Sequence, residues 1–213
     1  MIIALTAEEE LPAELQTIHQ LFDHGLDLLH LRKYHFTDTQ MCRYVASIDA
    51  TYRHKLVLHS HPHLAEQLQI YRIHLNECNR QNRLAESSIN SCIFSTSVHH
   101  IDQFNKLNSS WRYALLSPLF PSISKSGYGQ HSAIFEQLEQ RSNFNVGLIG
   151  LGGIKNDNCL LPLQAGADGI ALLGAVWMQA NPLQNFIQCK QTLSKNYNTF
   201  HKDIHWPNKK TIS

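Results

Sequence analysis

The chain has 213 residues, which predicts one domain, and 43% of them are hydrophobic, enough to bury a sizeable core. Its formal net charge of +1 at pH 7 offers no basic surface for nucleic acid or an anionic membrane, so we expect neither as a partner. The five cysteines show no CxxC spacing, and no apolar run approaches the roughly 18 residues of a membrane span. These features together predict a cytoplasmic protein with reduced thiols.

Short apolar segments recur along the chain and alternate with stretches of helical periodicity. The predicted strands are Ile2–Leu5, Leu26–Arg32, Lys55–Ser60, Ile73–Asn76, Cys92–Ser97, Tyr113–Ser117, Val146–Leu151 and Gly169–Leu173. The predicted helices include Glu14–Asp23, one capped by Thr37 or Asp38, Ile134–Leu138 and Cys159–Leu163. Eight such repeats predict an α/β fold, a single (β/α)₈ TIM barrel over residues 1–194, followed by a polar tail at 195–213.

Two glycine-rich turns follow the last two predicted strands. Gly152 and Gly153 end the seventh strand, and Gly174 ends the eighth. Between them we expect one helix within 155–164, capped by Asn156 or Asp157 and closed by Gly166. Barrels of this class often bind phosphate after strands seven and eight, because bare backbone there can approach the oxyanion. The alternative is that these glycines only relieve crowding between helix and strand.

The loop after the sixth predicted strand carries two hydroxyls and a cation. Ser122, Ser124 and Lys125 lie on a proline-flanked segment at a position where barrel enzymes place functional groups. Hydroxyls beside an ammonium form a compact donor set for phosphate oxygens. The loop therefore favours phosphate binding, with an ordinary polar loop as the alternative.

Histidines cluster at the ends of neighbouring strands. His59 and His61 alternate after the third strand, and His74 lies on the fourth. Imidazoles that converge with an open position can bind zinc for hydrolysis, so these three residues define one candidate site. Histidines that contact phosphate or a substrate ring, or that only pack, are the alternatives.

Several of these motifs together are similar to those of a known family. They are His30–Tyr34, His59–Ala65, His74–Leu75, Ser117–Lys125, Gly150–Ile154 and Ala165–Ala171. Over residues 2 to 176 the chain resembles the thiamine phosphate synthases and the related thiazole tautomerases. The resemblance implies a transferase that joins hydroxymethylpyrimidine pyrophosphate to thiazole phosphate and releases pyrophosphate with the help of Mg²⁺. It identifies these phosphorylated pyrimidine and thiazole compounds as the expected partners and leaves a homo-oligomer open.

The resemblance also implies site residues, with Arg32 and Lys125 as the catalytic pair. The implied pyrophosphate side consists of His30, Arg32, Lys33, Tyr34, His59, His74, Ser97 and Lys125. The implied thiazole phosphate side consists of Ser122, Ser124, Gly152, Gly153, Leu173 and Gly174.

The chain departs from the family pattern at His30 and Tyr34, which replace a glutamine and a lysine, and at three further positions that bear on the reaction. Ser60 and Asn79 stand where the family has its two magnesium-binding carboxylates, with Glu77 as a nearby substitute for one of them. Neutral side chains are poor ligands for this hard cation, so Mg²⁺ is a doubtful cofactor. Pro118 stands where the tautomerases have a histidine. Three functions therefore stay open: a coupling transferase, a non-coupling paralogue that binds thiazole phosphate (an isomerase or a binding protein), and a zinc hydrolase.

Overall fold

Eight parallel strands close into a barrel in chain order. The computed structural model describes residues 1–82, 92–122, 129–130 and 132–200, apart from the side chains of 81–82 and 196–200. The strands are β1 Ile2–Leu5, β2 Leu28–Leu31, β3 Leu56–Leu58, β4 Arg72–Leu75, β5 Ile93–Val98, β6 Trp111–Leu116, β7 Gly147–Leu151 and β8 Gly169–Leu172. Pairing of β1 with β8, in which Ile2 lies opposite Ile170, completes the closure. The predicted TIM barrel is confirmed.

Helices lie between most of the strands and after β8. They are α1 Glu14–Asp23, α2 Asp38–Ala46, α3 Ala65–Leu68, α4 Glu77–Asn82, α5 Ile101–Asn105, α6 Leu161–Gln164, α7 Gly174–Trp177 and α8 Pro182–Phe200. Short 3₁₀ helices occupy Ala50–Lys55, Pro62–Leu64 and Glu136–Gln140. Of the two predicted caps of α2, the structure uses Thr37, which forms a capping box with Gln40.

The strand residues alternate between two apolar layers. Ile3, Val57, Tyr113 and Ile149 belong to a buried cluster inside the barrel, while the neighbouring residues pack outward against the helices. The same alternation carries on past the ends of the strands, because successive side chains point to opposite faces. Side chains two residues beyond an interior position therefore reach the C-terminal mouth of the barrel.

Two predicted helices differ in the structure. Residues 134–138 contain only the start of the 3₁₀ helix Glu136–Gln140, and the segment after β7 is α-helical only over Leu161–Gln164. Pro162 explains the late start, since proline lacks an N–H and clashes with the turn before it unless it lies in the first turn. The expected cap at Asn156 or Asp157 is wrong. Asn158 instead accepts a hydrogen bond from the Lys155 N–H and donates one to the Gly153 carbonyl.

The C-terminal helix packs on the outside of the barrel. Phe186, Cys189 and Leu193 of α8 are buried in the outer apolar layer. The helix continues to Phe200, six residues beyond the boundary predicted at 194, and the division into barrel and tail stays a prediction. Within the described part of the chain, no helix is both long and apolar enough to cross a membrane.

Candidate functional site

A cavity of about 280 Å³ opens at the C-terminal mouth of the barrel. Its lining residues are Leu5, Arg32, Tyr34, His59, His74, Asn76, Ser97, Leu115, Ser117, Ser122, Leu151, Gly152, Gly153, Ile154, Ala171, Leu173 and Gly174. Each of the eight strands, or the residues that directly follow it, contributes to this lining. The position and the mixed polarity are those of a small-molecule site in a barrel of this class.

Most of the residues that the sequence singles out meet in this cavity. Those that line it are Arg32, Tyr34, His59, His74, Ser97, Ser122, Gly152, Gly153, Leu173 and Gly174. His30 and Lys33 do not line it, and Ser124 and Lys125 lie outside the described residues. The two predicted groups, on strands two to five and after strands six to eight, therefore share one space.

The glycine turn after β7 packs closely against the loop after β6. Gly152 and Gly153 have φ of +101° and +65°, a region that favours glycine. A Cβ at Gly152 would lie 2.8 Å from the Cα of Pro118, and one at Gly153 would lie 2.3 Å from the carbonyl oxygen of Pro121. The glycines thus permit close loop packing and also leave bare backbone on the cavity wall, so the two interpretations of the sequence are compatible.

Arg32 supplies positive charge at the opposite wall. It is the one charged side chain among the described lining residues. Its Nη2 lies 2.6 Å from Oε1 of Glu8, and its backbone N–H donates to the Thr6 hydroxyl. The guanidinium carbon lies 5.9 Å from the centre of the Tyr34 ring. A guanidinium held in this way is suited to bind phosphate oxygens.

Lys33 has a structural role instead of the phosphate contact expected from the sequence, so that expectation is wrong. Its Nζ lies 2.8 Å and 3.0 Å from the two carboxylate oxygens of Glu14, and the whole side chain is buried. Burial raises the pKa of Glu14, although the charge of Lys33 opposes this effect. The alternation along β2 accounts for the placement, because His30 and Arg32 point into the barrel and Lys33 points toward α1.

Three histidines converge at the floor of the cavity. The potential ligand atoms of His30, His59 and His74 lie within 4.8 Å of one another. His61 is not part of this group: its Nε2 lies 2.7 Å from the Phe36 carbonyl oxygen, and its Nδ1 lies 2.7 Å from the Ser60 hydroxyl. The predicted set of His59, His61 and His74 is therefore wrong in one member. The chain leaves the strand after Leu58, and His61 adopts a left-handed φ of +59° that turns it away.

A chain of hydrogen bonds connects the histidine cluster to two tyrosines. Tyr34 Oη lies 3.1 Å from Nδ1 of His59, whose Nε2 lies 2.6 Å from Nδ1 of His30. Nε2 of His30 in turn lies 2.6 Å from Oη of Tyr113. This arrangement satisfies both rings in their neutral form, because each ring can donate one hydrogen bond and accept one.

His74 stacks on His59 and is held by two serines. The ring centroids of His59 and His74 are 4.1 Å apart, and the two nitrogens of His74 lie 2.9 Å and 2.8 Å from the hydroxyls of Ser95 and Ser97. Burial, with a smaller effect of nearby Arg32, lowers the pKa of His74 to about 3. Burial and the neighbouring histidines likewise hold the pKa values of His30 and His59 well below the ordinary range. The cluster is therefore neutral near pH 7 and supplies no positive charge.

Ser60 and Asn79, where the resemblance places the family's magnesium ligands, are poor ligands for that ion. Ser60 donates to the Lys33 carbonyl and contacts His61, while Asn79 is exposed on α4 and its backbone N–H bonds to Asn76. Neither lines the cavity, and among the described lining residues there is no carboxylate. Glu77 also does not line the cavity, and its Oε1 accepts a hydrogen bond from Gln103. Magnesium prefers oxygen ligands with at least one carboxylate, and the described cavity offers none.

No role is assigned from the sequence to four polar groups around the site, although three of them lie at predicted strand ends. Asn76 and Ser117 line the cavity, Tyr113 supports His30, and Ser95 supports His74. Tyr113 and Ser95 lie within strands, where hydrophobic periodicity gives no sign that a polar atom is used. The period of two along β6 would have placed Tyr113 and Ser117 on the inward face.

Taken together, the fold and the cavity define a (β/α)₈ barrel protein with a small-molecule site at the C-terminal mouth. A family model described as thiamine monophosphate synthase matches residues 2–176. The chain belongs to this family, and the resemblance noted in the sequence is confirmed.

Individual relatives support the same assignment at low identity. The chain is 21% identical to a thiamine-phosphate synthase of Geobacillus thermodenitrificans over 182 residues, which is 81% of each chain. It is 23% identical to one of Bacillus velezensis over 122 residues, 56% of this chain and 54% of that protein, so this match spans about half of the relative's length. A crystal structure of thiamine phosphate pyrophosphorylase from Bacteroides thetaiotaomicron has a TM-score of 0.73 and 26% identity and covers 92% of this chain and 98% of that one.

Proposed function

We propose that the protein is a transferase that couples hydroxymethylpyrimidine pyrophosphate to thiazole phosphate. The observation that carries this proposal is that one cavity joins Arg32 to the glycine rim and Ser122, in a chain that belongs to the thiamine monophosphate synthase family. These features provide a charged wall for one phosphorylated substrate and a bare backbone wall for the other.

The proposed reaction exchanges one bond at the pyrimidine methylene carbon. The C–O bond to pyrophosphate breaks, and its electron pair leaves with the pyrophosphate oxygen. The lone pair of the thiazole nitrogen then forms the new C–N bond, which gives the thiazolium of thiamine phosphate. No proton is transferred, so the protein's task is to hold both substrates and to stabilise the charge of the leaving group.

On this proposal the two walls of the cavity have separate roles. Arg32 binds the leaving pyrophosphate, and Tyr34, His59, His74 and Ser97 surround it as neutral hydrogen-bonding groups. Ser122, Gly152, Gly153, Leu173 and Gly174 surround the thiazole phosphate. Ser124 and Lys125, outside the described residues, complete the two groups as the family resemblance implies. No step is assigned to magnesium.

The small number of charges in the described cavity lining favours a second function, binding of thiazole phosphate without coupling. Arg32 is the one charged side chain of the described lining, and the three histidines are neutral, so little positive charge faces a departing pyrophosphate. A paralogue that binds thiazole phosphate without coupling it would need only the glycine rim and Ser122. That protein would be a tautomerase-like isomerase or a binding protein.

Coupling and binding can be tested separately. We expect the purified protein to form thiamine phosphate from the two substrates, with and without added Mg²⁺. Calorimetry with inorganic pyrophosphate should show that Arg32→Gln weakens binding about 10- to 150-fold, the equivalent of one charge-assisted contact. Arg43→Gln, on the exposed face of α2, is the matched control and should bind as the parent does.

The outcomes distinguish the two functions. Thiazole phosphate binding without pyrophosphate binding or product would select the non-coupling paralogue. An absence of product under every metal condition would reject the transferase, and equal pyrophosphate affinity in the parent and in Arg32→Gln would reject the assigned role of Arg32.

A further inference from the structure

We propose that His30, His59 and His74 form a binding site for one divalent transition-metal ion, such as Zn²⁺ or Co²⁺, at the floor of the cavity. The three residues come from adjacent strands or strand ends, β2, β3 and β4, so the barrel itself fixes their separation. His59 and His74 line the cavity, while His30 lies buried beneath them. His59 and His74 also border the proposed pyrophosphate side, but binding of the metal alone can be measured without either substrate.

The nitrogen positions are close to those of a three-histidine metal site. The candidate ligand atoms lie within 4.8 Å of one another, and Nδ1 of His30 is 2.6 Å from Nε2 of His59. Tetrahedral ligands with metal–nitrogen bonds of about 2.0–2.1 Å lie about 3.3 Å apart. The observed separations lie on both sides of this value. His59 and His74 stack with an interplanar angle of 15°, so one of these rings must turn out of the stack before both can direct a nitrogen at one ion.

Hydroxyl groups support the side of each ring that would face away from the ion. Tyr113 contacts Nε2 of His30, Tyr34 contacts Nδ1 of His59, and Ser95 contacts Nδ1 of His74. Metal-binding histidines regularly use their second nitrogen in this way, because the outer hydrogen bond fixes the ring orientation and the tautomer. On β5, only the Ser97 hydroxyl, at the cavity wall, would have to give up its contact with His74.

The protonation state of the cluster suits a metal ion. Metal ligation requires neutral imidazole, and burial keeps all three rings neutral. An ion would replace the single proton that His30 and His59 share. That proton moves to the outer nitrogen of the ring that gave it up, where a tyrosine oxygen accepts the hydrogen bond, so no proton is lost.

The ligand type selects the ion. Imidazole nitrogen suits zinc, cobalt, nickel and copper, whereas magnesium prefers oxygen, so the site would not bind Mg²⁺. The positive charge of nearby Arg32 is balanced by Glu8 at 2.6 Å, which limits its repulsion of a cation. With three protein ligands, a fourth position remains toward the cavity, where water or an anion could bind.

The test uses the metal alone. Untagged full-length protein, stripped with a chelator and dialysed, is titrated with Co²⁺ and followed by calorimetry and by the visible absorption of tetrahedral cobalt. We expect one equivalent to bind and His74→Gln to weaken this binding more than 100-fold. The matched control is the double variant His61→Gln, His63→Gln, which removes two neighbouring histidines near Asp38 and should retain the one-equivalent site.

A second variant covers the case in which His74→Gln does not fold. Tyr113→Phe keeps the ring and removes only the hydroxyl that supports His30, so it should weaken Co²⁺ binding about 10- to 100-fold. The proposal is overturned if the parent binds no equivalent of Co²⁺ or Zn²⁺, or if both triad variants bind as the parent does. It is also overturned if the His61, His63 double variant abolishes the cobalt spectrum. None of these results depends on coupling activity, so the two proposals fail separately.

Discussion

The ion pair between Lys33 and Glu14 joins the end of β2 to the first turn of α1. Both side chains are almost fully buried, and Nζ of Lys33 also donates to the Glu9 carbonyl at 2.7 Å. A buried charge is costly without a partner, whereas a pair of apolar side chains in the same space is often tolerated. Each of these two residues therefore depends on the other for its stability in the folded state.

Removal of one partner of this ion pair should therefore destabilise the fold. We expect Lys33→Met to lower the free energy of unfolding by about 3–5 kcal/mol, because Glu14 is left as an uncompensated buried carboxylate. Urea denaturation at pH 7 measures this change. The double variant Lys33→Met, Glu14→Leu is the control and should recover most of the loss. A loss below about 1 kcal/mol in the single variant would contradict the assigned structural role.

At the scale of elements, the loops after β6 and β7 depend on each other. The Phe120 N–H donates to the Gly152 carbonyl at 3.1 Å, and the Leu119 N–H donates to the Leu151 carbonyl at 2.9 Å. Gly152 and Gly166 have nearly the same φ, +101° and +100°, but only Gly152 is crowded, since a Cβ at Gly166 would meet nothing within 4 Å. A comparison of Gly152 with Gly166 therefore distinguishes the effect of backbone strain from the effect of loop packing.

The two alanine variants should therefore differ. Gly166→Ala carries only the strain of a left-handed residue, about 1–3 kcal/mol of unfolding free energy. Gly152→Ala carries the same strain plus the contact with Pro118 at 2.8 Å, so we expect a larger loss and at least a tenfold weaker affinity for thiazole phosphate. Urea denaturation and calorimetry measure the two effects. Equal stability and equal ligand affinity in the two variants would show that the loop packing does not shape the cavity.

Strand positions could be predicted from the sequence because apolar runs between glycines and polar turns have few other interpretations. The predicted start of the helix after β7 is wrong. Pro162 is a signal that the sequence does carry, whereas the hydrogen bond from the Lys155 N–H to Asn158 is one that local propensity does not encode. Site residues could be predicted at strand ends where the alternation of the strand shows which side chains face inward, as at Arg32. The prediction fails at Lys33 and His61, where one residue of alternation or one left-handed turn reverses the direction of a side chain.

At the scale of the whole molecule, the barrel encloses three neutral imidazoles among its strands. Burial lowers the pKa of His74 to about 3 and holds those of His30 and His59 well below the value of about 6.5 that the unfolded chain has. Between these pKa values the unfolded chain binds more protons than the folded barrel. The stability that the three neutral rings contribute is therefore present above about pH 6.5 and is lost as the pH falls.

The free energy of unfolding of the metal-free protein should therefore decrease as the pH falls below about 6.5. From pH 7 to pH 5 each fully shifted histidine removes about 2 kcal/mol of unfolding free energy, because the slope approaches about 1.4 kcal/mol per pH unit. We expect the loss of unfolding free energy between pH 7 and pH 5 to be about 2 kcal/mol smaller in His74→Gln than in the parent. Urea denaturation at several pH values measures this difference. His54→Gln, which changes an exposed side chain, is the control and should follow the parent. If His74→Gln shows the same pH dependence as the parent, the His74 ring is not held neutral in the folded barrel. The neutral ligand set that the metal site requires would then be missing.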